Sequence, residues 1–143
     1  MIFVRPFAKE LVTKLLSKYR VAVWTASYGI YTDDIIEYFF GSPDSLEFVW
    51  DRRECEAEES TNGSSYFVKD LRKLDDIGWH EGCFCIVDDR REYIVGLSQF
   101  VVGIKPYFGS GEDEELTGVM GKIEELKLYN NDKLEAQENA LKL

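Results

Sequence analysis

Three segments of the chain have the apolar pattern of helices. In residues 7–19 the apolar side chains share one face of a 3.6-residue repeat, and Pro6 stands at the entrance. Residues 30–40 form a second segment, which ends at the turn sequence of residues 41–44, and residues 112–128 form a third. The pattern therefore predicts three helices.

Short apolar runs alternate with these helices. Four such runs are predicted to be strands, at residues 21–24, 46–50, 83–87 and 100–104. Residues 71–77 add a short helix before the third run. Continuous apolar strands between helices are typical of a mostly parallel sheet that is covered on both faces, so the predicted fold class is α/β.

The polar segments divide the chain. Residues 52–65 are rich in Glu and end in Thr61-Asn-Gly-Ser-Ser65, which predicts an exposed flap or hairpin, and order resumes at residues 66–71. From Tyr129 onward the chain is polar and rich in Ala. We expect one domain over residues 1–128, followed by a helical or disordered tail over residues 129–143.

Composition excludes some function classes. The 143 residues carry 27 acidic and 17 basic side chains other than His, for a net charge of −10. Nucleic acid is an improbable partner, because a polyphosphate is bound by clustered Lys and Arg. No apolar run approaches the length that spans a bilayer, and the amino terminus does not have the pattern of a signal peptide. We expect a soluble, intracellular protein without a membrane partner.

Polar side chains follow two of the predicted strands. Thr25 and Ser27 come after the first strand, and Asp88 and Asp89 come after the third. Ligands of an open parallel sheet bind beyond the carboxyl ends of its strands, where these side chains should meet. Hydroxyls, backbone amides, a lysine such as Lys69 and carboxylate-held Mg²⁺ neutralise a phosphoryl group. The pattern predicts a site for a phosphate monoester.

The order of several motifs resembles the NLI-interacting-factor-like phosphatases, also called FCP-type or C-terminal-domain phosphatases, of the haloacid dehalogenase superfamily. The resemblance covers about residues 5–126, and the motifs that carry it are Arg5-Pro6, Trp24-Thr-Ala-Ser27, Tyr66-Phe-Val-Lys-Asp-Leu71, Ile86-Val-Asp-Asp89, Ile104-Lys-Pro-Tyr-Phe108 and Asp113-Glu-Glu-Leu116. It implies a HAD-like, Rossmann-like fold and hydrolysis of phosphoserine or phosphothreonine in proteins.

The resemblance also implies roles for single residues. Phosphate would be bound by Thr25, Ala26, Ser27, Arg52 and Lys69. Because Arg53 directly follows Arg52, either of the two could correspond to the arginine of the family motif. Asp88 and Asp89 would be the acidic pair that orients the lysine or a water and contacts Mg²⁺.

One family motif is missing from the sequence. Members carry Asp-x-Asp-x-Thr on a central strand upstream of the Arg-Pro motif, and its first Asp attacks phosphorus. No Asp-x-Asp occurs in residues 1–143. We therefore expect the usual first central strand to be absent, so that the strands before Thr25 and Asp88 pair directly or something else fills the gap.

Two functions follow from the resemblance. The first is a truncated or degenerate Mg²⁺-dependent protein serine/threonine phosphatase domain, without a catalytic nucleophile in this chain. The second is an inactive phosphopeptide-binding or scaffold pseudophosphatase. The expected partner is a phosphoprotein, with a homodimer possible through open strand edges. Family members suggest a nuclear or cytoplasmic location, or a mitochondrial one.

Other interpretations of the same residues stay open. Asp88 and Asp89 could cap the following turn, and Lys69 could be a surface cation. Arg52 could be a surface charge that pairs with the nearby glutamates. The three cysteines and His80 lack zinc-ligand spacing. A phospho-receiver domain uses similar residues, but it begins with its acidic pair, whereas here the threonine comes first.

Overall fold

A computed structural model describes residues 4–96, 98–109, 111–129 and 140–142. The helices are α1 (Ala8–Lys18), α2 (Ile30–Phe40) and α3 (Val119–Glu125). The strands are β1 (Arg20–Trp24), β2 (Val49–Trp50), β3 (Glu56–Glu59), β4 (Ser65–Asp70), β5 (Phe84–Asp88), β6 (Ile94–Val95), β7 (Val101–Gly103) and β8 (Ala140–Lys142). Short 3₁₀ helices connect several of them, at Pro43–Ser45, Arg52–Glu54, Leu71–Ile77, Arg91–Tyr93, Ser98–Phe100 and Glu115–Gly118.

The predicted α/β class is confirmed, and most predicted elements lie where the apolar pattern puts them. Helix α2 has the predicted bounds, and α1 differs from its predicted range by one residue at each end. The third helix is shorter than predicted, because residues 115–118 form a 3₁₀ turn before α3 begins at Val119. The second strand is also shorter, and is preceded by the turn at Pro43–Ser45.

The main sheet is parallel and has β8 at its centre. Among the described residues its strand order is β2-β1-β8-β5-β7, and every pairing is parallel. Ala140 lies opposite Arg20 on one side and Phe84 on the other, and Lys142 lies opposite Ala22 and Ile86. Strand β8 therefore pairs only with the amino-terminal halves of β1 and β5.

Strand β8 lies between β1 and β5, which therefore do not pair directly. Residues 140–142 of the same chain thus occupy the central position that the predicted absence of a strand would leave open. This differs from the predicted helical or disordered tail, the rest of which, residues 130–139 and 143, lies outside the described residues. The physical reason is that buried backbone groups of β1 and β5 need hydrogen-bond partners, which a third strand supplies. The edges on which the predicted homodimer depended are thereby partly covered.

The polar flap is a hairpin, as predicted. Strands β3 and β4 pair antiparallel with Glu56 opposite Val68, and the turn between them contains Gly63 at a φ of 85°. This positive φ is a conformation that glycine adopts at little cost. On its other side β4 pairs with β6, with Lys69 opposite Ile94, and the three strands form a second, smaller sheet that carries Lys69.

The core lies on both faces of the main sheet. One cluster joins β1, β5 and β7 to α1 and α3, with buried Leu11, Leu15, Val21, Cys85, Val87, Val102, Leu116, Val119 and Ile123. A second cluster lies on the other face, with Ala22, Trp24, Leu71, Leu74, Trp79, Cys83, Phe84, Ile86 and Val101. No helix in the described ranges is long and apolar enough to cross a bilayer.

An ion pair joins the start of the chain to the segment before α3. The Arg5 Nε donates to Asp113 Oδ2 at 2.6 Å, and only 12% and 16% of the two side chains are exposed. The Arg5 guanidinium lowers the pKa of the Asp113 carboxyl below its ordinary value of 3.8. The two residues are 108 positions apart, so the pair fixes α1 relative to the segment before α3.

This pair predicts an acid-dependent stability. A carboxyl whose pKa is lowered on folding stabilises the fold above its unfolded pKa, and the contribution is lost as pH falls through the folded value. Between pH 5 and about 2, the free energy of unfolding should therefore fall more steeply in the wild type than in Asp113→Asn. Urea denaturation across this range measures it. In Asp34→Asn, which alters an exposed acid outside any described ion pair, the wild-type slope should persist, and equal slopes in all three proteins would contradict the prediction.

Candidate functional site

The loop after β1 is fixed by neighbouring backbone and by one arginine. The Thr25 amide donates to the Trp50 carbonyl at 2.8 Å, and the Ser27 amide donates to Thr25 Oγ1 at 3.0 Å. Arg52 holds the loop twice, because its amide donates to the Ser27 carbonyl and its Nε donates to the Ala26 carbonyl at 2.9 Å. Within the described part of the chain the Ala26 amide has no acceptor, and it is available to an anion.

Lys69 and Asp88 form a nearly buried ion pair. The Lys69 ammonium donates to Asp88 Oδ2 at 2.6 Å, and 11% and 10% of the side chains are exposed. Asp88 Oδ1 accepts the Arg90 amide at 2.8 Å. The carboxylate thus orients the lysine and caps the turn at once, so the two interpretations of this aspartate are compatible.

One cavity of about 820 Å³ brings the predicted site residues together. It lies at the carboxyl ends of β1 and β5, and its lining includes Thr25, Ala26, Ser27, Arg52, Lys69, Asp88 and Asp89. Val23, Trp24 and Val87 also line it, so it occupies the part of the central strand position that β8 leaves open. Residues distant in sequence therefore surround a single space.

The neighbouring arginines differ in position. Arg52 lines the cavity and lies over the Phe67 ring, with Cζ 4.6 Å from the ring centroid. Arg53 points away, 77% exposed, and pairs with Asp51 at 3.0 Å. This guanidinium lowers the pKa of the Asp51 carboxyl, through hydrogen bonds first. Of the two arginines, Arg52 is the one that a ligand in the cavity can reach.

The acidic pair is a poor fit for Mg²⁺ by itself. A magnesium ion in a phosphoryl-transfer site takes one or two carboxylates together with phosphate and water oxygens in octahedral geometry. Both Asp88 oxygens already accept hydrogen bonds, which leaves Asp89 as the carboxylate without a partner on this lining. Within the described ranges, no group of three or more His, Cys, Asp or Glu could hold a metal.

The thiols and His80 are not arranged as a catalytic pair. Burial raises the pKa of Cys85 to about 12, and burial is also the main cause that raises the pKa of Cys55. A thiol of this kind is protonated at neutral pH and is a weak nucleophile. The His80 ring contacts Asp75, and Cys83 Sγ contacts the His80 carbonyl.

The sequence interpretation missed two charged residues of the cavity lining. Arg5 lines it while paired with Asp113, and nothing local in the sequence indicates so distant a contact. Arg90 also lines it, and its place directly after Asp89 was a signal that could have been used. Its guanidinium lies 5.7 Å from the centroid of the Tyr93 ring.

Comparison with known proteins agrees with the motifs. A family model described as NLI interacting factor-like phosphatase matches residues 1–135. A comparison with curated proteins gives no significant match. The match to the family model spans nearly the whole chain and includes every residue of the cavity lining. It confirms the resemblance drawn from the motif order. The chain therefore belongs to the family of NLI interacting factor-like phosphatases.

Proposed function

We propose that residues 1–143 form a HAD-like phosphatase domain that binds phosphoserine or phosphothreonine of a protein but cannot by itself hydrolyse it through an aspartyl-phosphate. The observation that carries the proposal is the shared cavity. It is lined by Thr25, Ser27, Arg52 and Lys69, whose side chains carry hydroxyl, guanidinium and ammonium donors. Donors of these types, held by surrounding structure, are what a tetrahedral oxyanion requires.

The binding groups are held before any ligand arrives. Arg52 is fixed through its Nε and by the Phe67 ring, and none of its contacts among the described residues is with a carboxylate. Lys69 is oriented by Asp88 at 2.6 Å. Preorganised donors lose little conformational entropy on binding, which favours an anion over solvent.

This chain lacks the nucleophile that hydrolysis through an aspartyl-phosphate requires. The strand between β1 and β5 is Ala140-Leu-Lys142, which contains no carboxylate, and no Asp-x-Asp occurs in the sequence. The family resemblance puts the attacking aspartate on a strand at this central position. Attack by a carboxylate is the step that divides the reaction into two easier ones. Asp88 does not replace the missing aspartate, because its carboxylate is paired with Lys69. Magnesium would then act, as in the family, only where further acidic ligands are supplied.

Hydrolysis of p-nitrophenyl phosphate with Mg²⁺ should not exceed the blank, because removal of a nucleophile typically costs about 10⁴-fold or more in rate. Release of p-nitrophenol is measured for the wild type and for Lys69→Met. Turnover that is lost in Lys69→Met would contradict the proposal. Equal turnover by both proteins would come from a contaminant.

A titration tests binding separately. A fluorescent phosphoserine peptide should bind, its unphosphorylated form should not, and Thr25→Ala should weaken binding by about tenfold through loss of one charge-assisted hydrogen bond. Thr117→Ala is the matched control, since Thr117 is exposed and donates to the Glu114 carbonyl outside the cavity. Equal binding of both peptides would contradict a phosphate site.

The second candidate is a binding or scaffold module without enzymatic activity. It is favoured by the intact Lys69–Asp88 pair and cavity in a chain that has no nucleophile motif. This candidate shares the expected phosphoprotein partner. A nuclear, cytoplasmic or mitochondrial location is proposed only by analogy with the family, and self-association is proposed only from strand edges, which β8 covers in part.

A further inference from the structure

The cavity concentrates positive charge on an acidic protein. The whole chain has a net charge of −10, whereas the charged residues on the lining are four cations and two carboxylates, namely Arg5, Arg52, Lys69, Arg90, Asp88 and Asp89. Arg5 is neutralised by Asp113, and Lys69 is neutralised by Asp88. Arg52, Arg90 and the Asp89 carboxylate remain, so the unpaired groups of the lining carry one net positive charge. Neither arginine has a carboxylate partner among the residues that the structure describes.

Arg90 is exposed, and it has one contact through its backbone and one through its side chain. Its amide donates to Asp88 Oδ1 at 2.8 Å, which fixes the backbone at the end of β5. Its guanidinium lies against Tyr93, whose ring is 5.5 Å from the Tyr66 ring. An arginine that rests on an aromatic ring keeps its hydrogen-bond donors free for a planar or tetrahedral anion.

The two arginines belong to different strand ends, because β8 lies between β1 and β5. Arg52 follows β2 and is bound to the loop after β1, through the Ala26 carbonyl. Arg90 follows β5 and is bound to Asp88. With one strand between them, the ends of β1 and β5 are about 10 Å apart, so a phosphoryl group at Thr25 and Arg52 does not fill the β5 side of the lining, where Arg90 follows Asp89.

We propose that Arg90 determines specificity by binding a second anionic group of the substrate, on a residue next to the phosphoserine or phosphothreonine. The group is a carboxylate of Asp or Glu or a second phosphate, which share the oxygen geometry that a guanidinium recognises. This inference rests on the proposed function, since the first anion is the phosphoryl group at Thr25.

Three peptides test the proposal, each with one phosphoserine. The first has only alanine neighbours, the second has glutamate at the neighbouring positions, and the third has a second phosphoserine there. The wild type should bind the second and third peptides about tenfold more tightly than the first, because a charge-assisted bond is added. The Arg90→Ala variant should lose this preference and bind the first peptide as the wild type does. A larger gain for the third peptide than for the second would identify phosphate as the preferred group.

Arg72→Ala is the matched control. It also removes one arginine, but Arg72 is 76% exposed, pairs with Asp70 at 2.6 Å and does not line the cavity. The control should keep the preference, so a general effect of net charge is separated from a contact. If Arg90→Ala retains the preference, or weakens all three peptides equally, this inference is overturned while the proposed function stands. If the wild type binds none of them, both are overturned.

Discussion

Replacing Lys69 with methionine is expected to abolish phosphate binding and to destabilise the fold. The substitution keeps the apolar stem but leaves the Asp88 carboxylate, 10% exposed, without its cation at 2.6 Å. Removing one partner of a buried pair costs about 3 kcal/mol or more, because the other charge stays desolvated. The free energy of unfolding in urea should fall by that amount. The phosphopeptide should no longer bind detectably, because the ammonium is lost and the unpaired Asp88 carboxylate repels the phosphoryl group.

Two further variants distinguish the loss of the Lys69–Asp88 pair from a general loss of positive charge. Lys73→Met removes a lysine that pairs with Glu54 at 2.6 Å, but these side chains are 34% and 38% exposed. A pair of this exposure contributes about 1 kcal/mol or less, so the control should be nearly as stable as the wild type. The double variant Lys69→Met/Asp88→Asn should recover much of the lost stability, because no unpaired buried charge remains. Equal losses for Lys69→Met and Lys73→Met would contradict the pairing.

Proline at position 141 is expected to destabilise the protein strongly through the central strand. Leu141 lies opposite Val21 in β1 and Cys85 in β5, so β8 supplies backbone partners to both neighbours. Proline removes an amide from the ladder and does not fit a central strand. We expect a loss of about 3 kcal/mol or more in the free energy of unfolding, measured by urea denaturation followed by circular dichroism.

Leu141→Val is the control for that variant, since valine is a good strand residue and keeps its amide. It should cost about 1 kcal/mol or less. If Leu141→Pro is as stable as Leu141→Val, then residues 140–142 do not form the central strand. The space between β1 and β5 would then need another occupant.

Local pattern predicts the helices and strands of this chain well. Helix α2 has its predicted bounds, because its apolar residues and the glycine at each end are signals that lie within the segment itself. Strands β1 and β5 are likewise found from their apolar runs, since both are buried and both are followed by polar residues. These elements depend little on distant residues.

Other features depend on contacts that no local pattern carries. Strand β8 is three residues in a polar segment, and it forms because β1 and β5 leave a position open between them. The Arg5 to Asp113 pair joins residues 108 positions apart. The sequence names seven candidate site residues through the order of motifs, and all seven line the cavity. Arg90 is absent from that set because its importance comes from Tyr93 and from the charge around it.

The proposed phosphate site between the loop after β1 and the end of β5 is tested most directly by an amide NMR titration with phosphoserine peptide. We predict saturable shifts of the amides of Ala26, Ser27, Lys69 and Asp89, which follow one binding curve and vanish in Lys69→Met. Lys73→Met should give the wild-type curve. Absence of shifts at these amides, or shifts that persist without Lys69, would contradict a phosphate site in this cavity.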